Sequence, residues 1–213
     1  MIGLTRTEVL ADLEVQVSKI LSILVACEYS GRVRDAFAKR GWNAISCDLL
    51  ESETPGKHYD GPVEDILSSG IHFDLMVCHP PCTHLAVSGA RHFAEKIASG
   101  EQQKALDFVK MLLDAPIKHI ALENPVSIIS TKIKKPSQYV QPWQFGHGET
   151  KKTGFWLKNL PLLTPTNIVE GREAKVHNMS PGPNRWKDRS RTYHGIASAM
   201  ADQWGKYIED LNR

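Results

Sequence analysis

Apolar residues in this chain fall into short runs separated by stretches with helical spacing. Val9, Leu10, Leu13, Val17 and Ile20 recur as one face of a helix, with Thr5 or Thr7 available as its cap, which predicts a leading helix over 7–20. Ile23 to Cys27 is a short apolar run of the kind that forms a buried parallel strand. Between Gly31 and Arg40, Val33, Phe37 and Ala38 return at helical spacing before Gly41 stops the helix. The same alternation predicts strands at 44–47, 73–78 and 118–122 and helices near 63–68 and 102–114. Strands and helices taking turns specify an α/β fold with a doubly wound, mostly parallel sheet.

After Asn124 the rhythm changes. Pro136, Pro142, Pro161 and Pro165 mark loops around two further strands, 139–145 and 154–157, which predict a hairpin-like end to the sheet. Residues 166–192 have little apolar periodicity and contain Pro181, Gly182 and Pro183, the pattern of a long exposed loop or small insertion. A last helix is expected from Ile196 to Leu211. The resulting division is a helical extension (1–21), a main domain (22–165), a basic loop (166–192) and a closing helix (193–213).

Composition narrows the function classes. With 213 residues, 41% hydrophobic and 23% charged, the chain suits one soluble domain, and no apolar run is long enough for a membrane span. Glu8, Asp12 and Glu14 interrupt the first twenty residues, unlike a secretory signal, so a cytoplasmic location is expected. Cys27, Cys47, Cys78 and Cys82 show no disulfide spacing and read as reduced thiols. A net charge of +2 does not diagnose a nucleic-acid partner, so that reading depends on local clustering.

In a doubly wound sheet ligands bind outside the carboxyl ends of the strands. Residues that follow the expected strands include Glu28-Tyr29-Ser30-Gly31, Asp48, Cys78-His79-Pro80-Pro81-Cys82 and Glu123-Asn124-Pro125, with Glu64-Asp65-Ile66 in a further turn. The first turn offers backbone amides to a ligand, and Asp48 can accept the two hydroxyls of a ribose or serve as a plain turn residue. Two prolines make a stiff extended loop that presents Cys82, whereas Cys78, inside Leu75-Met76-Val77, suits a buried core position. Partial burial would raise the pKa of Glu123 and let it share a proton with a ring nitrogen. His79, His84 and Arg91 are candidates for lowering the pKa of the Cys82 thiol.

Pro80-Pro81-Cys82 and Glu123-Asn124-Pro125, each after a strand, resemble the catalytic signatures of the DNA cytosine-5 methyltransferases, especially the compact phage and prophage forms. The resemblance covers roughly 22–160, with a weaker match in the last helix. It implies a Rossmann-like methyltransferase fold, a cytoplasmic enzyme in a bacterial host, S-adenosylmethionine as cofactor and DNA as partner, and it assigns roles by motif position. In that family the cysteine attacks carbon 6 of a flipped-out cytosine, the glutamate holds ring nitrogen 3, and carbon 5 takes the methyl group. Cys82, Glu123 and Asn124 take the catalytic places. Glu28, Tyr29, Ser30 and Gly31 fall at the methionine end of the cofactor, Asp48 at its ribose, and Asp65 and Ile66 at its adenine, with Pro80 beside it.

The chain departs from the family at Thr83, where glutamine is usual, and in having Gly31 as the remnant of a glycine-rich motif. Lys151 and Lys152 stand loosely for a later Gln-Arg-x-Arg motif, and Gly195-Ile196-Ala197-Ser198 for a Gly-Asn-Ser-Val motif. The family's large recognition domain is represented only by 166–192, where Arg185, Lys187, Arg189 and Arg191 cluster with Arg172, Lys175 and Trp186. Such a loop suits phosphate contacts and a stacking or wedging aromatic, and it also suits a solvated charged loop. The expected DNA contacts are therefore Thr83, Lys151, Lys152, Arg185, Trp186, Lys187, Arg189 and Arg191. A monomer without metal is expected. Other readings are an amino methyltransferase, whose Asp/Asn-Pro-Pro-aromatic motif differs here at His79 and Cys82, a catalytically degenerate relative that binds DNA, and a metal-dependent binding module using Cys78, Cys82, His84 and His92.

Overall fold

The computed structural model describes residues 20–213, so residues 1–19 of the expected helical extension lie outside the described residues. The strands are β1 (Ser22–Ala26), β2 (Asn43–Asp48), β3 (His58–Asp60), β4 (Leu75–Cys78), β5 (His119–Pro125), β6 (Gln138–Val140) and β7 (Thr153–Lys158). They form one seven-stranded sheet in the order β3-β2-β1-β4-β5-β7-β6. All pairings from β3 to β5 are parallel, while β7 runs antiparallel to both β5 and β6. The fold is thus the expected α/β one, a doubly wound, mostly parallel, Rossmann-like sheet with an antiparallel end.

The principal helices are α1 (Arg32–Ala38), α2 (Val63–Ser68), α3 (Phe93–Ala98), α4 (Glu101–Leu113) and α5 (Ile129–Lys132). Those toward the carboxyl end are α6 (Lys175–Asn178), α7 (Arg185–Ser190), α8 (His194–Met200) and α9 (Lys206–Leu211). Apolar side chains close both faces of the sheet. On one face Ile23, Val25, Leu75 and Val77 pack with Val33 and Phe37 of α1 and Ile196 and Met200 of α8. On the other, Leu24, Met76 and Leu122 pack with Ile66 of α2 and Leu106, Val109 and Leu112 of α4. Strands covered on both faces carry near-continuous apolar runs, which is why periodicity located β1 and β4 well.

Several expectations need correction. The strand placed over 139–145 ends at Val140, because Pro142 opens a 3-10 turn instead. β3 and α3 went unpredicted, since three strand residues or one and a half helical turns leave too little periodicity to read. Residues 166–192, expected as a long exposed loop or small insertion, contain secondary structure. They hold α6 and α7 and are tied by bridges from Phe145 to Asn167 and from Glu149 to Glu173. The last helix is interrupted by a π turn, Ala201–Gly205, between α8 and α9.

Buried Arg34 organises the loop that follows β2. Its guanidinium donates to Ser46 Oγ, Ser52 Oγ, Thr54 Oγ1, the carbonyls of Thr54 and Pro55, and Asp35 Oδ1. Gly31 is required beside it. Its φ is +72° and a Cβ there would lie 2.1 Å from Thr54 Oγ1.

Candidate active site

Strand order reverses direction between β1 and β4, and a ligand-binding crevice is expected outside their carboxyl ends. Here the expected residues gather. Cys27 closes β1 in the left-handed region, with φ 57°, an uncommon conformation for a side-chain-bearing residue. Glu28 then turns inward and is buried, its Oε1 accepting from Ser30 Oγ at 2.9 Å and Val33 N at 2.8 Å. Its carboxylate caps the start of α1. Tyr29 is also buried, and its hydroxyl lies 2.9 Å from Ser190 Oγ of α7.

At the end of β2, Asp48 Oδ1 accepts from Leu50 N at 3.0 Å, the turn role foreseen as one of its two readings. Desolvation pushes its carboxyl up, partly countered by bonds from the Leu50 and Leu49 amides and by His58. Leu49 and Leu50 beside it are exposed. Asp65 accepts from Tyr59 Oη at 2.7 Å, while Ile66 is buried in the core.

The Pro80-Pro81-Cys82 loop is fastened to the segment after β5. Asn124 Nδ2 donates to Pro80 O at 2.9 Å, Val87 N to Val126 O at 3.0 Å and Ile128 N to Leu85 O at 3.0 Å. Cys82 O accepts from the amides of Leu85 and Ala86, closing a turn. These bonds bring the ends of β4 and β5 together, so the thiol and the carboxylate share one edge of the sheet. Cys82 is exposed and Cys78 is fully buried, as expected of each.

The electrostatics differ from expectation in two respects. Cys82 was expected to have a lowered pKa, but desolvation by surrounding protein, followed by the Glu123 charge, raises it. The cations that oppose this are Lys151 and Arg189. His79 instead bonds Glu123, and Arg91 Nε bonds His92. Glu123 was expected to be raised. Burial does push it up, yet the His79 hydrogen bond and the charges of Lys151 and His79 outweigh burial, and the carboxyl is held below its ordinary range. Lys151 is in turn pushed down by burial, against the pull of Glu123 and Cys82.

Among the expected DNA contacts, Lys151 faces this site and its Nζ donates to Arg191 O at 3.3 Å. Lys152 is exposed, with Nζ 4.4 Å from the centre of the Tyr139 ring, and Thr83 is exposed beside Cys82. Trp186 is half exposed and tilted against Tyr29, with ring centres 6.0 Å apart. Lys187 Nζ stands 5.8 Å from the Tyr29 ring, and Arg185 Nε donates to Met179 O. Arg191 is committed to carboxylates, forming a two-armed pair with Glu53 at 2.6 and 2.7 Å and a further bond to Asp188. Helix α7 thereby lies over the β1–α1 turn. An open cleft of about 460 Å³ adjoins it, lined by Ser30, Arg32, Lys39, Glu53, Arg191 and His194 among others.

Sequence reasoning missed one residue, Arg34, and one pairing, that of His79 with Glu123. Arg34 could have been suspected from its position between buried Val33 and Phe37, with Ser46, Ser52 and Thr54 nearby in the chain to receive it. The partner of His79 had no sequence signal, because the bond to Glu123 spans 44 residues. Among the described residues, no group of three or more His, Cys, Asp or Glu side chains is placed to hold a metal ion. No helix among them is long and apolar enough to cross a membrane.

No family model matches this chain, and no curated protein matches it. Among solved structures, it is similar to a prophage-encoded E. coli protein assigned as a DNA modification methyltransferase, with 11% identity and a TM-score of 0.46 over 70% of this chain. The match takes in 52% of that structure, so this chain spans about half its length.

Proposed function

We propose that the protein is a DNA methyltransferase that uses S-adenosylmethionine to methylate carbon 5 of cytosine. The observation that carries this reading is the meeting, at one sheet edge, of an exposed thiol held after two prolines and a largely buried carboxylate. Carbon 5 of cytosine is a poor nucleophile until sulfur adds to carbon 6, and that addition requires a proton at ring nitrogen 3.

The charge states support this division of labour. At neutral pH the raised Cys82 keeps its proton and the lowered Glu123 is ionised. One proton therefore has to leave sulfur as the S–C6 bond forms, and one has to arrive at nitrogen 3. Glu123 can accept the first and donate the second, so the count balances. After methylation carbon 5 gives up its proton to solvent and the S–C6 bond breaks to release the thiolate, and the proton held on nitrogen 3 returns through Glu123 to sulfur, restoring the thiol and leaving a neutral base. Lys151 and Arg189, which oppose the Glu123 field at Cys82, stabilise the thiolate when it forms.

The residues at the switch point fit the cofactor. Asp48 has an oxygen beyond the one engaged by Leu50 to receive ribose hydroxyls, and exposed Leu49 and Leu50 offer apolar surface to an adenine. When bound, S-adenosylmethionine supplies an electrophilic methyl group on a sulfonium that leaves as a neutral thioether. The target base has to be extruded from the helix for Cys82 to reach it. Thr83, Lys152, Arg185, Trp186, Lys187 and Arg189 are the surface side chains assigned to DNA, and Arg191 joins them only by exchanging its carboxylate partners for phosphate.

The test is incubation with S-adenosylmethionine and DNA, followed by nucleoside mass spectrometry and trapping on 5-fluorocytosine DNA. The expected product is 5-methylcytosine, with a covalent adduct that disappears in Cys82→Ser. A product methylated on the exocyclic nitrogen of adenine or cytosine overturns the proposal.

A further inference from the structure

His79 is not needed to fill space. Its ring is nine-tenths buried and its Nδ1 stands 3.1 Å from Glu123 Oε2, while its buried Nε2 has no hydrogen-bond partner. An apolar side chain would occupy the position without leaving a polar nitrogen unpaired. The backbone around it is constrained from both sides. His79 N donates to Ala26 O at 3.0 Å, one rung beyond β4, and the following Pro80 confines His79 to extended conformations. Its ring therefore starts from a fixed platform, and the contact it makes from there is with the carboxylate.

Among the described residues no donor engages the other carboxylate oxygen, Oε1. The charged and titratable groups that act on Glu123 are His79 from the end of β4 and Lys151 from the segment before β7. Glu123 acts in turn on Cys82 and on buried Cys78. Arg189, from α7, reaches this group through its effects on Cys82 and Lys151.

We propose that His79 is a positioning residue: its Nδ1–H anchors Glu123 Oε2 and leaves Oε1 as the oxygen that exchanges a proton with nitrogen 3 of the cytosine ring. The inference rests on the cytosine-5 reading above. It moves no net proton, because the His79 hydrogen bond stays in place while Oε1 takes a proton from Cys82 and passes it to the base.

The first test does not depend on turnover. In the full chain labelled at glutamate carboxyl carbons, the Glu123 resonance is identified by its loss in Glu123→Gln and followed against pH by NMR. His79→Ala is expected to move its titration upward by about one unit, and His79→Asn, whose amide can replace the Nδ1 donor, by less. The second test is the rate of adduct formation on 5-fluorocytosine DNA. His79→Ala is expected to slow it by about a hundredfold with little change in DNA affinity and to move the acid limb of the pH profile upward. His79→Asn restores most of the rate. Should His79→Ala fold poorly, His79→Asn is compared with His79→Gln, whose amide reaches toward the Nε2 position. A folded His79 variant with unchanged Glu123 titration and unchanged adduct rate, in a protein that makes 5-methylcytosine, overturns this inference alone. A wild type that makes an N-methylated base overturns the cytosine-5 reading, and the nitrogen 3 role with it, even if Glu123 still responds to His79.

Discussion

Burying a guanidinium is costly unless its donors are engaged, and Arg34 meets that condition through Ser46, Ser52, Thr54, Pro55 and Asp35. Arg34→Met is expected to lower stability by about 3 kcal/mol, read by urea denaturation, because it strips partners from several buried hydroxyls and carbonyls at once. Cys82 has a separate signature. Its alkylation by iodoacetamide, followed by mass spectrometry, is expected to rise with pH to a midpoint above that of an ordinary thiol. Lys151→Met should shift the midpoint higher by removing an opposing positive charge, and Glu123→Gln should shift it lower by removing the negative one. Glu123 also leaves a trace in stability. Its carboxyl is held below its unfolded value, so its contribution is fully present above that unfolded value and is lost as pH falls through the folded one. The stability difference between wild type and Glu123→Gln is therefore expected to change as pH falls through the acid range. A difference that stayed level throughout the acid range would contradict the assignment.

Among the elements, α7 is held over the first turn by contacts from different parts of the chain. Tyr29 Oη meets Ser190 Oγ and the Lys187 carbonyl, and Arg191 meets Glu53. Partly exposed pairs of this kind contribute about 1 kcal/mol or less, so the element can open without unfolding the sheet. Tyr29→Phe combined with Glu53→Gln is expected to speed tryptic cleavage after Arg185, Lys187 and Arg189 several-fold while the thermal midpoint moves by only a few degrees. Unchanged cleavage would show that other contacts hold α7. Elements differ sharply in how far the chain announces them. The buried strands β1 and β4 and the helix α4 were legible from apolar runs and spacing, and α2 was placed at its observed limits. The meeting of Cys82 with Glu123 was also legible, because strand ends of a parallel sheet converge wherever the helices lie. What did not show was pairing at long range. His79 was grouped with Cys82 by proximity in sequence, whereas the fold spends it on Glu123, and the burial of Glu123 gave the wrong sign for its shift until the neighbouring His79 and Lys151 were in view.

For the whole molecule, a net charge of +2 supplies little long-range attraction to DNA, so the proposed binding rests on local cations such as Lys152, Arg185, Lys187 and Arg189. Affinity for a duplex is expected to fall linearly in log–log form with salt, and Lys152→Ala or Arg189→Ala should each reduce the slope by about one if that side chain meets a phosphate. Binding that is insensitive to salt would place the interface elsewhere. The route of the chain after β7 has a wider consequence. Asn167 is fastened to the Phe145 segment, Arg32 Nη1 donates to the Thr192 carbonyl, and Gly195 packs so closely on Phe145 O that a Cβ there would lie 1.8 Å from it. Both ends of the 167–192 excursion are therefore moored to the main body, while Pro181 to Asn184 at its apex are exposed. Doubling the length of such a loop costs only about 0.6 kcal/mol in closure entropy. On the proposed reading, sequences for DNA recognition can thus be lengthened or exchanged at the apex as a cassette while the sheet edge is left unchanged.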